Sequence, residues 1–306
     1  MAYGFDISAL PAYTDQLSLD LISKVVLKTD LLDYVDLRSG FTSGTVSINL
    51  VDANLPVAAL SCGWPTPQEM SDANSTITYS QVPVTIESLQ SKTEMCVEDL
   101  RSVYQSAFMN AGTGNDFIPF EAVISESYSD KLRKYNEGFL INGFGTTTGL
   151  KAQITSANGA QLQAGTPVAW DATNAFSQAL DLYDAIAESV KDRDDLIMVV
   201  SPDAYRALVR SLVAQNLYHF NSVEGNEIVI LPGTNCQVIK SSGLVGSNYK
   251  FAGPGKMIIA ATGLTDELDT FRFFYDEAAD VMKFRAAWRL GVGVGEVNVF
   301  ATNDMA

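Results

Sequence analysis

The chain has 306 residues, 47% of them hydrophobic, enough for one large domain or two ordinary ones with a core that needs no covalent staples. Twenty Lys plus Arg stand against 36 Asp plus Glu, a net charge of −16, and no basic run could track a phosphate backbone, so tight groove-reading of nucleic acid is excluded. Three scattered cysteines, Cys62, Cys96 and Cys236, signal neither a disulfide framework nor a zinc site, and no apolar run approaches a signal peptide core or a membrane span.

From Asp15 to Val35, apolar residues recur at Leu17, Leu21, Val25, Leu32 and Val35, which predicts an amphipathic helix closed by Arg38, Ser39 and Gly40. Residues 39–91 contain no Lys or Arg. They are rich in Ser and Thr and alternate at Val46-Ile48-Leu50 and Ile77-Tyr79, the pattern of a long two-stranded excursion punctuated by Gly63-Trp64-Pro65-Thr66-Pro67. Helical spacing returns at Leu100, Val103, Tyr104, Ala107 and Phe108. A second helix is predicted over 127–141, where Ser127 and Asp130 read as a capping box and Tyr128, Leu132, Tyr135 and Phe139 form an aromatic stripe that must bury.

The Gly-, Thr- and Ser-rich stretch from Gly143 to Gly165 reads as a connector or exposed hairpin at a domain boundary. Beyond it the spacing predicts a helix from Phe176 to Lys191, a strand Leu196–Val200, and a helix opened by Ser201 as N-cap and Pro202 at its first position. That alternation suggests a mixed sheet with helices packed on it, with further strands at 228–231, 236–240 and 256–260. From Phe271 the chain is strand-rich: Phe284, Ala286, Trp288 and Leu290 alternate with Lys283, Arg285, Ala287 and Arg289, setting apolar groups on one face and cations on the other. In Gly291-Val292-Gly293-Val294-Gly295 one face is bare backbone, open to close approach by a neighbouring helix, and Glu296 to Phe300 should continue the strand.

Catalytic patterns are missing from the sequence. There is no nucleophile elbow, phosphate loop, HExxH or EF-hand spacing. The single histidine, His219, has no partner for a usual ligand set, and Asp192, Asp194 and Asp195 interleave Arg193 at a helix end, the ordinary place for solvated charge. No cofactor or metal is expected, and no enzymatic activity.

Taken in order, these elements resemble the tailed-bacteriophage major capsid protein, an α+β architecture known as the HK-ninety-seven-like fold. The resemblance is one of layout. It implies an N-terminal arm at 1–38, an extended β-hairpin loop at 39–91, a peripheral domain with a long spine helix at 92–165, an axial α/β domain at 166–265, and return strands with the C-terminus at 266–306. Implied with it is a shell of hexamers and pentamers of this chain, assembled in a bacterial cytoplasm around double-stranded DNA. The expected partners are the chain itself, a separate scaffold protein, a portal and decoration proteins, with no membrane. Expected subunit contacts are Leu17, Leu21 and Val25 in the arm, Leu55, Trp64, Ile77 and Tyr79 in the loop, Tyr128 and Tyr135 on the spine, and Arg285 and Arg289 on the cationic face. A nanocompartment shell of the same fold is the nearest alternative, and a cytoplasmic α/β enzyme a more distant one.

Overall fold

The computed structural model describes residues 31–41, 44–54, 76–96, 120–217, 229–263, 272–276, 279 and 281–305. In chain order its elements are β1 (Asp36–Arg38), β2 (Gly44–Asn54), β3 (Thr76–Cys96), α1 (Phe120–Asn142), β4 (Gly143–Phe144), β5 (Thr147–Thr148), α2 (Leu150–Gln153) and β6 (Gln161–Leu162). There follow α3 (Ala175–Asp184), β7 (Leu196–Val200), α4 (Pro202–Ala214), β8 (Val229–Ile230), β9 (Gln237–Lys240), β10 (Phe251–Pro254), β11 (Ile258–Thr262), β12 (Arg272–Asp276), β13 (Val281–Val294) and β14 (Ala301–Thr302).

Two six-stranded sheets carry the architecture. The first runs β1-β11-β13-β3-β2, and β12 pairs with β13 beyond the end of β11. β3, at ~3.3 Å per residue, spans roughly 70 Å and pairs with two different partners. Its second half, Ile86 to Cys96, lies antiparallel to β13, and its first half, Thr76 to Ile86, is zipped to β2 from Gly44 to Asn54. The second sheet runs β6-β14-β10-β7-β9-β8. Its centre is β7, Leu196-Ile197-Met198-Val199-Val200, whose side chains are all buried because both faces of the strand are covered.

Local chemistry explains several elements. Ser201 sits in extended backbone and its hydroxyl accepts from the Ala204 N–H at 3.3 Å, while Pro202 fills the first helical position, where no N–H is needed. α4 then buries Ala204, Leu208, Ser211 and Leu212 on the sheet, a 3.6-residue stripe. β13 reads as its sequence does: Phe284, Ala286 and Leu290 are buried while Arg285 on the alternate face is exposed.

Elsewhere the structure departs from the sequence pattern. The predicted helix 15–35 lies outside the described residues except for its end, which is a turn leading into β1, a strand parallel to β11. α1 begins at Phe120, seven residues before the expected cap, so Ser127 and Asp130 are interior positions; sheet packing outweighs their local preference for a cap. α3 stops at Asp184, since Ala187 is extended, and Glu188–Val190 is a 3₁₀ turn that lets Ile186 and Val190 bury instead. The 143–165 stretch does hold the β4–β5 hairpin, yet Leu150 and Ile154 are fully buried within it. Glu296 to Phe300 turns through a 3₁₀ segment at Val297–Val299 and does not extend β13. The predicted helix 97–109 and His219 lie outside the described residues.

Candidate assembly surfaces

The β2–β3 ribbon leaves the body of the molecule at Ile86, and a junction of three elements fixes its base. The bare face of β13 receives the ribbon: a Cβ at Gly291 would stand 2.6 Å from the Thr85 carbonyl oxygen, and one at Gly293 2.6 Å from Val84 Cγ2. The glycines thus admit a strand, where the sequence suggested a helix. By lying across them, β3 sets Val82, Val84 and Ile86 on Ile259 and Ala261 of β11, with Ile48 of β2 completing a small apolar cluster. From the other side the β4–β5 hairpin clamps the crossing. Thr147 donates its hydroxyl to the Thr85 carbonyl at 3.0 Å, and Thr146 donates to Glu87 Oε2 at 3.0 Å.

Past this base the described ribbon side chains are open to solvent. Asn49, Ser80 and Gln81 are exposed, Tyr79 is 73% exposed, and Gln81 Nε2 reaches across the ladder to Asn49 Oδ1 at 3.0 Å.

α1 covers the apolar face of the first sheet. Tyr128 stacks on Phe284 at 4.5 Å between ring centroids, Tyr135 meets Trp288 edge-on at 6.5 Å, and Trp288 Nε1 donates to the buried Asn136 Oδ1 at 3.0 Å. Leu132 and Phe139 complete the buried stripe, so the aromatic face serves the subunit's own core first; Tyr135 remains 44% exposed. The same helix grips the second sheet. Glu137, 3% exposed, accepts from the Ser242 backbone N–H at 2.9 Å and from the Ser242 hydroxyl, and Asn142 Nδ2 donates to the Gly243 carbonyl at 2.9 Å. Gly243 is required there, since a Cβ would sit 2.7 Å from the Glu137 carbonyl oxygen.

The opposite face of the first sheet is polar and open. Ser88, Gln90, Lys92 and Glu94 of β3 are exposed, as is Arg285 of β13. Lys283 pairs with Asp276, which raises its pKa, hydrogen bonding first and charge after. The register aligns Arg272 opposite Arg285 and Arg285 opposite Lys92, three cationic positions in one row across β12, β13 and β3.

Asp195, Cys236 and Lys250 have structural explanations. Arg193 holds Asp195 through two bonds of 2.8 and 2.9 Å, keeping that carboxyl below its ordinary range, and the Asp195 carbonyl accepts from Gly255 N–H at 2.8 Å, tying down the turn before β11. Burial pushes the Cys236 thiol up to about 12. Lys250 is 1% exposed, with its ammonium 2.8 Å from the Asn248 carbonyl and 4.9 Å from the Trp170 ring centre, and burial lowers its pKa to about 8. Among the described residues no group of three or more His, Cys, Asp and Glu could hold a metal ion, and no helix is long and apolar enough to cross a membrane.

Of the contact residues expected from sequence, Leu17, Leu21, Val25, Leu55 and Trp64 lie outside the described residues. Ile77 falls on the outer ribbon opposite Ala53, Tyr79 opposite Val51, and Arg285 and Arg289 on the polar face of β13, Arg289 opposite Ser88. Lys92 and Arg272 went unread as part of that face, because only the strand register aligns them with Arg285.

No family model and no curated protein matches the chain. Solved structures do. A chain of the satellite phage P4 procapsid, which includes the size determination protein, is 9% identical with a TM-score of 0.57, over 92% of this chain and 89% of that one. Gordonia phage Cozz is 11% identical at 0.56, over 90% and 85%, and the virus-like particle from Pyrococcus furiosus 13% identical at 0.54, over 95% and 98%. The fold is therefore the α+β capsid-protein fold of tailed phages, the HK-ninety-seven-like fold. The likeness runs nearly end to end on both sides of each comparison.

Proposed function

We propose that this chain is the major capsid protein of a tailed bacteriophage, building an icosahedral shell of hexamers and pentamers around double-stranded DNA. The observation that carries this reading is the ribbon: an outer two-stranded hairpin of ~20 Å or more, by ~3.3 Å per residue, with exposed residues on both strands. A two-stranded hairpin alone is marginal in water, and its edge strand is a template for another chain. A neighbouring subunit supplies the missing surface. The arm with Leu17, Leu21 and Val25, the loop with Leu55, Trp64, Ile77 and Tyr79, the half-exposed Tyr135 near Tyr128, and the face bearing Arg285 and Arg289 are the proposed contacts.

Function in such a subunit is geometric. Several interfaces of ~1,000–2,000 Å² each, closed by symmetry, sum to a large assembly energy without any single strong contact. Acidity fits a container that repels its polyanionic contents weakly and does not grip them. Assembly would occur in a bacterial host cytoplasm, with a separate scaffold protein, a portal and decoration proteins as partners.

Expression of the chain alone, followed by sedimentation and negative-stain microscopy, tests this. Megadalton closed particles are expected, and a stable monomer at micromolar concentration would end the reading. The likeness to an archaeal virus-like particle keeps a nanocompartment shell as the second reading. Particles purified from the native source decide between them, with packaged DNA supporting the phage and a protein cargo the compartment.

A further inference from the structure

A cavity of about 430 Å³ opens between α4 and the turn before α3, within the size range of small-molecule sites. Ala172 and Ala207 contribute only methyl groups to its lining, between the Trp170 turn and the guanidinium groups of Arg206 and Arg210. The turn is fixed from within. Asp171 Oδ1 accepts from the Thr173 N–H at 2.7 Å, the Thr173 hydroxyl at 2.6 Å and the Asn174 N–H at 2.9 Å. In return Asn174 Oδ1 accepts from the Asp171 N–H at 2.8 Å, and its Nδ2 donates to the Ala169 carbonyl at 3.1 Å. Arg206 and Arg210 stand one turn apart on the exposed face of α4, away from the buried Ala204, Leu208 and Leu212.

The charges around this cavity do not cancel. Arg206 pairs with Asp203 at 2.5 Å, whereas the Arg210 side chain has no ion-pair or hydrogen-bond partner among the described residues. On the interior side of the half-buried Trp170, the buried Lys250 ammonium lies 4.9 Å from the ring centre. A cation there draws π density toward itself, which suits the rest of the ring to an electron-rich partner. With Arg206 set against Asp203 and Lys250 against Asp171, Arg210 is the cation in excess. The complementary ligand has a flat, electron-rich ring and an oxyanion. Phosphate matches the guanidinium fork in two parallel bonds, and a simple carboxylate would leave the ring unused.

We propose that the cavity between α4 and the Trp170 turn binds a nucleotide, its base against Trp170 and its phosphate on Arg210 and Arg206. The Arg206–Asp203 pair is solvent-exposed, and such pairs contribute little, so Arg206 can turn to the phosphate at small cost. Asp203 is then free to accept from a ligand hydroxyl or amino group. The site is separate from the ribbon and from the polar face of the first sheet, so it stands or falls independently of the shell reading. A free nucleotide and a nucleotide of a single strand present the same chemistry here.

Calorimetric titration of the full-length chain with inorganic phosphate, ribose 5-phosphate, adenosine monophosphate and a single-stranded oligodeoxyadenylate tests this, with tryptophan fluorescence read alongside. Adenosine monophosphate should bind with a Kd below ~1 mM, tenfold or more tighter than ribose 5-phosphate, and should quench the fluorescence as the base stacks. Arg210→Gln should weaken binding tenfold or more, and Arg206→Gln by less, with circular dichroism unchanged in both. Trp170→Leu should reduce adenosine monophosphate to the affinity of ribose 5-phosphate. If that variant fails to fold, the exposed Arg210→Gln still decides. Tighter binding of the oligonucleotide, lost in Arg210→Gln, would support the site and place its nucleotide on a strand; preference for the monophosphate would support it and make the ligand a free nucleotide. No binding of either at ~10 mM would overturn the proposal. So would a monophosphate affinity equal to that of inorganic phosphate, or one unchanged in Arg210→Gln.

Discussion

Single residues decide more here than their size suggests. At Gly291 a Cβ would press on the Thr85 carbonyl, a backbone atom that cannot rotate away, so Gly291→Ala should destabilise the subunit by about 1–3 kcal/mol, the range for overpacking. Thermal unfolding of dissociated subunits reads this as a Tm lower by several degrees. Gly293→Ala meets the Val84 side chain, which can shift slightly, and should cost less. Lys250 carries a pH signature. Because burial disfavours its ammonium, the folded pKa of about 8 lies below the ordinary 10.5. The protonated lysine therefore penalises the fold below pH 8, and this penalty is relieved as pH rises from 8 toward 10.5. Lys250→Met should raise the Tm at pH 7 and abolish the lysine's part of that alkaline gain, measured as the wild-type minus variant difference in unfolding free energy across that window.

Among the elements, α1 and the ribbon do different work. α1 ties the two sheets together by burying its aromatic stripe on β13 and by capping the Ser242 turn with Glu137. Glu137→Ala leaves the half-buried Ser242 N–H without this acceptor, at a cost of about 1 kcal/mol, the low end for an unmade bond. Hydrogen exchange should show it as faster exchange at Ser242 and Gly243 before global unfolding. Among the described residues, the ribbon's buried contribution to the subunit is Ile48, Val82, Val84 and Ile86. Deleting residues 45–85 should therefore leave the second sheet folded, with β7 amides still protected, yet yield no intact shells by electron microscopy. Intact shells from that deletion would refute the loop's role.

On the scale of the whole molecule, folding buries some surfaces and leaves others open. The body is well packed, with the second sheet covered by α3 and α4 and the first by α1. Among the described residues, those left exposed include the polar face at Lys92 and Arg285, the outer ribbon at Tyr79, and Val213, Ile230 and Val245 on the second-sheet body. Sequence patterning located the elements whose signals are local. The buried run of β7, the Ser201–Pro202 cap, the alternation of β13 and the two-stranded excursion were all legible, since each is set by a residue's own neighbours. β10 was not legible. Gly253-Pro254-Gly255 resembles a turn, but Gly253 and Pro254 pair with Ile197 and Leu196 of β7, and the Phe300 ring fills the place of a Cβ at Gly253.

By itself, then, the sequence determined the alternation of apolar and polar positions, the caps, the absence of cations from 39 to 91, and the order of elements that resembles a capsid subunit. Those follow from composition and from spacings of two and 3.6 residues. Only the tertiary structure decided that the glycine face of β13 receives a strand, that β1 pairs parallel with β11 across more than 200 residues of chain, and that Arg272, Arg285 and Lys92 share a row. The physical reason is register. Which residues stand opposite each other depends on pairings between distant segments, and no local pattern specifies it.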